Sequence, residues 1–108
     1  MTLPYINGIE EFEEKITRSK GIKVVEFGAA WCPPCRALEP VLSELAGTLM
    51  GKVEIYKVDI DKQPELSAKF AIRSLPTVLV FKYGTLREQL IGYQPRHAYL
   101  ASFSDKAS

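Results

Sequence analysis

Apolar and polar residues follow one another along this chain in blocks whose periods predict alternating helices and strands. Apolar residues recur at helical spacing over residues 8–19, and Gly21 follows as a stop, which predicts a first helix there. Asn7 with Glu10 three residues later resembles a capping box at the start of this helix. Residues 22–28 are mostly apolar and rich in β-branched side chains, and they predict a strand.

The longest helix is predicted over residues 33–50. Its apolar positions form one stripe at a spacing of 3.6 residues, and they are Leu38, Val41, Leu42, Leu45, Ala46 and Leu49. Gly51 closes the pattern. Pro40 lies inside this helix, where it removes a backbone donor and crowds the preceding turn, so we expect a kink near residues 36–40.

The rest of the chain continues the alternation. It predicts a strand over 53–59, a short helix opened by Pro64 and running to 70, strands over 77–82 and 86–91 that turn at Tyr83-Gly84, and a last helix over 95–104. Helices between the early strands imply parallel pairing, and the final hairpin adds antiparallel strands. The sequence therefore predicts an α/β fold with a mixed sheet and helices on both faces. No repeat or linker interrupts it, so we expect one domain over residues 1–108.

Composition and charge disfavour several classes of partner and location. The chain has 108 residues, 46% of them hydrophobic and 25% charged, which is ordinary globular usage. Its net charge of +1 does not favour nucleic acid or anionic lipid as a partner. No apolar run approaches the roughly 20 residues of a membrane helix, and glutamates interrupt the first twenty residues where a secretory signal would be apolar. We expect a monomer that its own N-terminus does not export.

The two cysteines, Cys32 and Cys35, lie three residues apart between a predicted strand and the longest helix. Cys32 is therefore expected at the N-cap, where unpaired N–H groups and the helix dipole stabilise a thiolate. Cys35 falls on the apolar stripe and is expected to be buried, whereas Cys32 is expected to face solvent. This asymmetry predicts that Cys32 attacks a partner disulfide and that Cys35 resolves the resulting mixed disulfide.

Three other uses of the cysteine pair remain open on this evidence. A purely structural disulfide closing so small a ring would contribute only about 2 kcal/mol before strain is subtracted. A zinc site would need two more ligands, and the chain offers one histidine, His97, so metal binding would require a dimer or a partner. A binding module of the same fold would use the surface around the cysteines without their chemistry.

Around the cysteines the chain resembles the thioredoxin family. The resemblance starts from the run Trp31-Cys32-Pro33-Pro34-Cys35 and extends, in order and spacing, to Phe27, Pro40, Lys57, Asp59 to Asp61, Ile72 to Thr77, Lys82, Gly84 and Gly92. It implies a central sheet with four flanking helices and a general protein-disulfide reductase. It also implies that the cysteine disulfide replaces any bound cofactor, and that an NADPH-dependent flavin reductase, thioredoxin reductase, supplies the electrons.

The same resemblance implies a substrate groove beside the cysteines. Its centre would be a cis peptide bond before Pro76, where the preceding backbone pairs with an extended substrate chain. From the residues alone, Pro76 is simply a proline permitted at the start of a strand. The groove would be framed by Trp31, Pro33, Pro34, Ser74, Leu75, Gly92 and Tyr93.

Glu26 is a carboxylate in an otherwise apolar strand, and burying it is costly unless it is neutralised or paired. The alternative is that it reaches solvent at the sheet rim. The family usually carries a buried Asp at this position, which implies that Glu26 relays the Cys35 proton with Lys57 as its charge partner. Burial raises the pKa of a carboxyl and a nearby ammonium lowers it, so the sequence leaves the sign of the shift open.

The chain departs from the commonest thioredoxins at Glu26, at Gly28, where a bulky aromatic is usual, and at Pro33, where glycine is usual. Gly28 is expected to leave a space that widens access to Cys32. Pro33 removes an N–H near the Cys32 sulfur and stiffens the first turn, and the sequence leaves open whether this disfavours the thiolate or preorganises the ring.

The Trp-Cys-Pro-Pro-Cys form is also frequent in envelope-anchored reductases that serve cytochrome c maturation. These carry an anchor or export segment and usually an insertion, neither of which is seen in this sequence. We therefore expect a cytoplasmic general reductant, with a periplasmic or envelope role as the alternative if a signal was removed.

Overall fold

A four-stranded mixed sheet forms the centre of the protein, as the sequence predicts. The computed structural model describes residues 2–104. In chain order the elements are α1 (Ile9–Phe12, continued by a π-helical turn, Glu13–Thr17), β1 (Ile22–Gly28), α2 (Pro33–Thr48), β2 (Val53–Asp59), α3 (Pro64–Lys69), β3 (Thr77–Lys82), β4 (Thr85–Ile91) and α4 (Arg96–Ser102).

The strands lie in the order β2-β1-β3-β4. β1 and β2 are parallel, whereas β1–β3 and β3–β4 are antiparallel. This is the predicted combination of an early parallel pair and a final hairpin. Apolar side chains of α2 and α4 pack on one face of the sheet, and those of α1 and α3 pack on the other.

Alternation along β1 decides which residues face the cysteines. Val24 packs with the α2 and α4 core, whereas Val25 and Phe27 pack with the α1 and α3 core. Side chains two residues apart on a strand share a face. Glu26 and Gly28 therefore point towards α2, the helix that carries Cys35.

The first helix begins differently from the prediction. Gly8 is the N-cap residue, with φ at 97°, and no side chain caps the helix. The predicted capping box of Asn7 and Glu10 is wrong, because the Asn7 N–H donates to Glu11 Oε1 at 2.8 Å. The helical segment ends at Thr17, two residues before the predicted end.

Helix α2 begins as predicted with two prolines at its first two positions, and it buries Cys35, Leu38, Leu42 and Leu45 along the predicted stripe. It ends at Thr48 rather than residue 50. Pro40 lies within it, and the kink expected there stays a prediction. At 16 residues it is the longest helix, and across residues 2–104 no helix is long and apolar enough to cross a membrane.

Before α1, a short extended segment joins the sheet beside β2, and the sequence pattern did not predict it. The Lys57 N–H donates to the Pro4 carbonyl at 2.8 Å, and the Ile6 N–H donates to the Lys57 carbonyl at 2.9 Å. Tyr5 and Lys57 thus form a parallel bridge. This segment brings the Tyr5 ring next to Lys57.

The hairpin between β3 and β4 turns at Tyr83-Gly84, as predicted. Both residues have positive φ, 53° and 82°, which is the geometry of a type I′ turn. β4 begins at Thr85, one residue earlier than expected, and α4 covers Arg96–Ser102, a shorter span than the predicted 95–104.

Candidate active site

Cys32 is the N-cap residue of α2, as the sequence predicts. Its backbone is extended, and its Sγ accepts the Cys35 N–H at 3.3 Å. Pro33 and Pro34 occupy the first two helical positions and have no N–H, so the Cys35 amide is the first of the helix that can reach the sulfur. The helix end thus directs a backbone donor at Cys32 Sγ, which favours negative charge there.

Cys32 and Cys35 form a disulfide, with their Cα atoms 5.3 Å apart. Cys35 is buried as predicted, at 7% exposure, but Cys32 is only 4% exposed, so the expectation that it faces solvent is wrong. Ala29 packs with the disulfide, and Ile60 and Leu75 cover it. Ile60 and Leu75 are remote from Cys32 in sequence, which is why local helix geometry misjudged the burial of Cys32.

A surface depression of about 420 Å³ opens next to Cys32. It is lined by Trp31, Cys32, Pro33, Pro34, Ile60, Ser67, Ile72, Arg73 and Leu75. The family resemblance implied that Trp31, the two prolines and Leu75 belong to this surface. It did not single out the α3 side of the depression, although Ile72 and Arg73 belong to the run that carries the family resemblance. The Cys32 sulfur therefore lies beside a mostly apolar hollow rather than on an open surface.

Trp31 forms the exposed wall of the depression. Its side chain is 63% exposed, and its indole Nε1 donates to Asp61 Oδ2 at 2.8 Å. Asp61 is itself held, because its N–H donates to Asp59 Oδ1 at 2.9 Å. A large exposed aromatic ring is therefore fixed next to the disulfide.

The Leu75-Pro76 peptide bond is cis, as the resemblance implied. The Pro76 carbonyl accepts the Gly92 N–H at 2.7 Å, and the Ser74 carbonyl accepts the Thr77 hydroxyl at 2.6 Å. Ser74, Pro76, Gly92 and Tyr93 do not line the depression beside Cys32. Instead, Gly92 hydrogen-bonds to Pro76 itself, and Ser74 hydrogen-bonds to Thr77, the residue after Pro76. The neighbouring Tyr93 is half exposed.

A second cavity, of about 240 Å³, reaches Cys35 from the other side of the disulfide. Its lining includes Glu26, Gly28, Cys35, Glu39 and Lys57. The space that Gly28 leaves belongs to this cavity, so the expectation that it widens access to Cys32 is wrong. The reason is strand geometry, since Gly28 shares the face of Glu26 and lies against Cys35.

Glu26 is buried, at 2% exposure, which removes the alternative of a carboxyl at the sheet rim. Its Oε2 has no hydrogen-bond partner within the described part of the chain. Burial raises its pKa to about 7, while Lys57 lowers the pKa and Glu39 raises it. The sign that the sequence left open is therefore upward, because desolvation outweighs the nearby ammonium.

Lys57 is adjacent to Glu26 in the sheet register, but it makes its ion pair with a different carboxylate. Its Nζ lies 3.1 Å from Glu39 Oε1 and 4.9 Å from the centre of the Tyr5 ring. Burial alone would lower the pKa of Lys57, but its interactions with Tyr5 and Glu39 outweigh that effect, and the pKa is raised. Lys57 thus acts on Glu26 as a nearby charge that lowers its pKa, as predicted, while its ion pair is with Glu39. Glu39 could have been noticed, because it lies one helical turn after Cys35.

This arrangement suits thiol–disulfide exchange. One sulfur lies at a helix N-terminus beside a surface depression, and the other lies beside a buried carboxyl that titrates near neutrality. Over residues 2–104, no group of three or more His, Cys, Asp or Glu side chains is placed to hold a metal ion.

Comparison with known proteins agrees with this chemistry. The thioredoxin family model matches residues 6–105. A thioredoxin from Staphylococcus haemolyticus is 45% identical over 95 residues, covering 88% of each chain, and one from Staphylococcus epidermidis is 44% identical over 96 residues, covering 89% of each.

Solved structures give the same fold. A mutant thioredoxin from Halobacterium salinarum superposes with a TM-score of 0.81 at 30% identity, covering 91% of this chain and 84% of that one. A chain from a study of thiol resolution in a yeast mitochondrial 1-Cys peroxiredoxin superposes with a TM-score of 0.84 at 24% identity, which shows the shared fold alone. The thioredoxin relatives support a thiol–disulfide oxidoreductase, and they do not favour the envelope reductase or a binding module without chemistry.

Proposed function

Since this chain belongs to the thioredoxin family and is a thiol–disulfide oxidoreductase, we propose that it works as a reductant of disulfides in proteins. The observation that carries the proposal is the position of Cys32. Its sulfur lies at the N-cap of α2, and Cys32 lines the depression beside Trp31, where a substrate disulfide could reach it.

In the first step, the reduced Cys32 reacts as a thiolate, which the Cys35 N–H and the end of α2 stabilise. The thiolate attacks one sulfur of the substrate disulfide. A bond forms between Cys32 Sγ and that sulfur, the substrate S–S bond breaks, and the other substrate sulfur leaves as a thiolate. Cys32 is the nucleophile in this assignment even though its exposed area is no larger than that of Cys35.

In the second step, Cys35 resolves the mixed disulfide. The Glu26 carboxylate takes the Cys35 proton, and the Cys35 thiolate attacks Cys32 Sγ, which releases the second substrate sulfur as a thiolate. Two substrate thiols and the Cys32–Cys35 disulfide are the products. Lys57 acts on this step through charge, because it lowers the pKa of Glu26 without being its ion-pair partner.

For the substrate chain, we propose a path across the surface around the cis Leu75-Pro76 bond. Trp31, Pro33, Pro34 and Leu75 supply the apolar wall next to Cys32. The substrate backbone pairs with the residue before Pro76, in the manner of an added strand, and contacts the surface formed by Ser74, Pro76, Gly92 and Tyr93.

The electron donor, the cellular compartment and the oligomeric state complete the proposal. A flavin- and NADPH-dependent thioredoxin reductase returns two electrons to the Cys32–Cys35 disulfide, which is the only redox group the reaction needs. The protein acts in the cytoplasm as a monomer, and residues 1–108 act as one thioredoxin domain, which the family match over residues 6–105 supports.

The assignment of the two cysteines is tested with single serine variants and a disulfide-containing protein such as insulin, with dithiothreitol as reductant. Cys32→Ser is expected to lower reduction to the uncatalysed rate. In a separate mixture from which dithiothreitol has been removed, the pre-reduced Cys35→Ser variant is expected to accumulate a mixed disulfide at Cys32, detected by intact mass. Accumulation in Cys32→Ser, with none in Cys35→Ser, would reverse the two roles.

The double variant Cys32→Ser/Cys35→Ser separates chemistry from binding. If partner proteins bind it as tightly as they bind the natural protein, and the natural protein shows no turnover, the reductase proposal fails. The direction of exchange is tested by the reduction potential measured against glutathione. A value at the reducing end of the range for dithiol proteins is expected, and one at the oxidising end contradicts a reductant.

A further inference from the structure

Gly28 lies where an added side chain would meet both partners of the second step. A Cβ built at Gly28 would be 2.5 Å from Glu26 Oε2, 3.2 Å from Cys35 Sγ and 3.3 Å from Cys35 Cβ. Non-bonded carbon and oxygen atoms do not approach as closely as 2.5 Å, so the added Cβ or Glu26 Oε2 would have to move. The contacts with Cys35 are tight but need only a shift of a few tenths of an ångström.

The glycine at this position is not explained by its backbone. Five other glycines of the described chain have a positive φ, but Gly28 does not, so an alanine would fit the backbone there. The atom in the way is the end of a side chain with three rotatable bonds. A substitution at Gly28 would therefore displace the Glu26 carboxyl rather than the strand.

We propose that Gly28 is a positioning residue for proton transfer at Cys35, because its missing side chain lets the longer acid Glu26 place its carboxyl against the Cys35 sulfur. This inference rests on the proposed role of Glu26 in the second step. It adds that the identities of residues 26 and 28 are coupled, since both side chains would occupy one space on the same face of β1.

The length of the acid makes the coupling specific. Aspartate has one methylene fewer than glutamate, so its carboxyl ends about 1.5 Å closer to the strand. A Glu26→Asp side chain would therefore end short of the point where an alanine Cβ at residue 28 would lie. Glutamate needs the empty space, and aspartate does not.

The cavity on this side of the disulfide gives the proton a way out. It has a volume of about 240 Å³ and is lined by Glu26, Gly28 and Cys35. At roughly 30 Å³ per water molecule, it has room for several waters. Gly28 forms part of its wall, so a side chain there would also narrow the route from Glu26 to solvent.

Several charged and titratable groups surround Glu26 and enter its pH dependence. The groups that line the cavity or act on Glu26 are Tyr5 before α1, Cys35, Arg36 and Glu39 of α2, Lys57 and Asp59 of β2, and Tyr99 of α4. A substitution at Gly28 replaces none of these groups, although the added Cβ would also press on Cys35. The comparison of Glu and Asp at residue 26 therefore separates an effect on the Glu26 carboxyl from a direct contact with Cys35.

The experiment compares the natural protein with Gly28→Ala, Glu26→Asp and the double variant Glu26→Asp/Gly28→Ala. Each reduced protein is mixed with excess of a peptide disulfide and quenched in acid, and the decay of the mixed disulfide is followed by mass spectrometry from pH 5 to 9. In the natural protein the resolving rate is expected to rise through pH 7 as Glu26 ionises. Gly28→Ala is expected to lower the rate at pH 8 by about tenfold, a fraction of the 10²–10⁴ typical of general-base catalysis, and to move or remove the inflection near pH 7.

The double variant decides between a positioning role and a purely structural one. We expect its resolving rate to be within about threefold of that of Glu26→Asp, because the shorter acid clears the alanine. Gly47→Ala is the matched control, since Gly47 has ordinary φ and nothing within 4 Å of an added Cβ, and its rates should match those of the natural protein. The proposal is overturned if Gly28→Ala slows resolution equally with Glu and with Asp at residue 26, or leaves the pH profile of the natural protein unchanged.

Glu26→Gln separates this inference from the role proposed for Glu26. If Glu26→Gln resolves at the natural rate with the natural pH profile, the proton-transfer role fails and the positioning proposal fails with it. If Glu26→Gln is slow and Gly28→Ala is not, the proton-transfer role stands and only the positioning proposal is overturned. Urea unfolding of each variant shows whether it is folded under the assay conditions.

Discussion

Glu26 and Lys57 are register partners on the parallel strands β1 and β2, yet the Lys57 ammonium makes its ion pair with Glu39, at 3.1 Å. The buried carboxyl of Glu26 is therefore compensated only in part. Desolvation then dominates, and the pKa of Glu26 is raised to about 7. This relationship makes the protein sensitive to pH in the physiological range.

The raised pKa of Glu26 predicts a pH dependence of stability. The folded state holds the proton more tightly than the unfolded state, so the contribution of this group is full below pH 4.5 and is lost as the pH rises through about 7. A shift from 4.5 to about 7 corresponds to roughly 3 kcal/mol. We expect the free energy of unfolding of the oxidised protein, measured in urea, to fall between pH 5 and pH 8.

Glu26→Gln isolates this contribution, because the amide has a similar shape and does not titrate. Its free energy of unfolding should fall much less over the same pH range, and it should exceed that of the natural protein at pH 8. An equal decline in both proteins would show that Glu26 does not cause it.

The two charges beside Glu26 are expected to shift its pKa in opposite directions. Lys57→Met removes a charge that lowers the pKa, so the midpoint should rise, whereas Glu39→Gln removes a charge that raises it, so the midpoint should fall. Both are measured by following the Glu26 carboxyl carbon in NMR titrations. Glu44→Gln is a control on the same helix, since Glu44 pairs with Arg96, and it should not change the midpoint. Shifts of the same sign in Lys57→Met and Glu39→Gln would contradict this account.

The hydrogen bond from Trp31 to Asp61 is expected to influence substrate binding. Asp61→Ala removes the acceptor and frees the exposed indole, and one lost hydrogen bond of about 1 kcal/mol corresponds to a several-fold increase in KM for a protein disulfide. The value of kcat should change little, because neither sulfur loses a contact. Asp61→Asn keeps an oxygen acceptor and should retain most of the affinity, so equal effects of Asn and Ala would argue against a role for this bond.

The turn between β3 and β4 offers a stabilising substitution. Tyr83 has φ at 53° and a side chain that is 74% exposed, and a residue of this kind pays about 1 kcal/mol for left-handed backbone. Asparagine tolerates this conformation, so Tyr83→Asn should raise the free energy of unfolding by up to about that amount. Tyr83→Ala removes the ring without relieving the backbone, and a similar gain from both variants would mean that the ring is the cause.

The parts of the fold that depend on local periodicity were predictable from sequence. The α2 stripe placed Cys35 in the core, and the position of Cys32 before the helix made it the N-cap. The burial of Cys32 was not predictable in this way, because Ile60 and Leu75, which are remote in sequence, cover the disulfide.

Electrostatic partners were also beyond local spacing. Strand register places Glu26 beside Lys57, but only the packing of α2 on the sheet brings Glu39 to the ammonium. To predict that the space at Gly28 opens towards Cys35, the side-chain alternation of β1 has to be combined with the same packing of α2 on the sheet. At the start of α1, the capping pattern failed because Glu11, rather than the predicted Glu10, accepts the Asn7 N–H.

The extended segment that pairs with Lys57 has a consequence for self-association. Edge strands with unpaired backbone N–H and C=O groups are templates for other chains, and they promote fibril formation unless those groups are hydrogen-bonded. Here the carbonyl of Pro4 and the N–H of Ile6 already use both backbone groups of Lys57. Deleting residues 2–6 would expose this edge of β2 and also remove the Tyr5 ring from Lys57. A truncated protein would therefore lose solubility and an interaction that raises the pKa of Lys57 together.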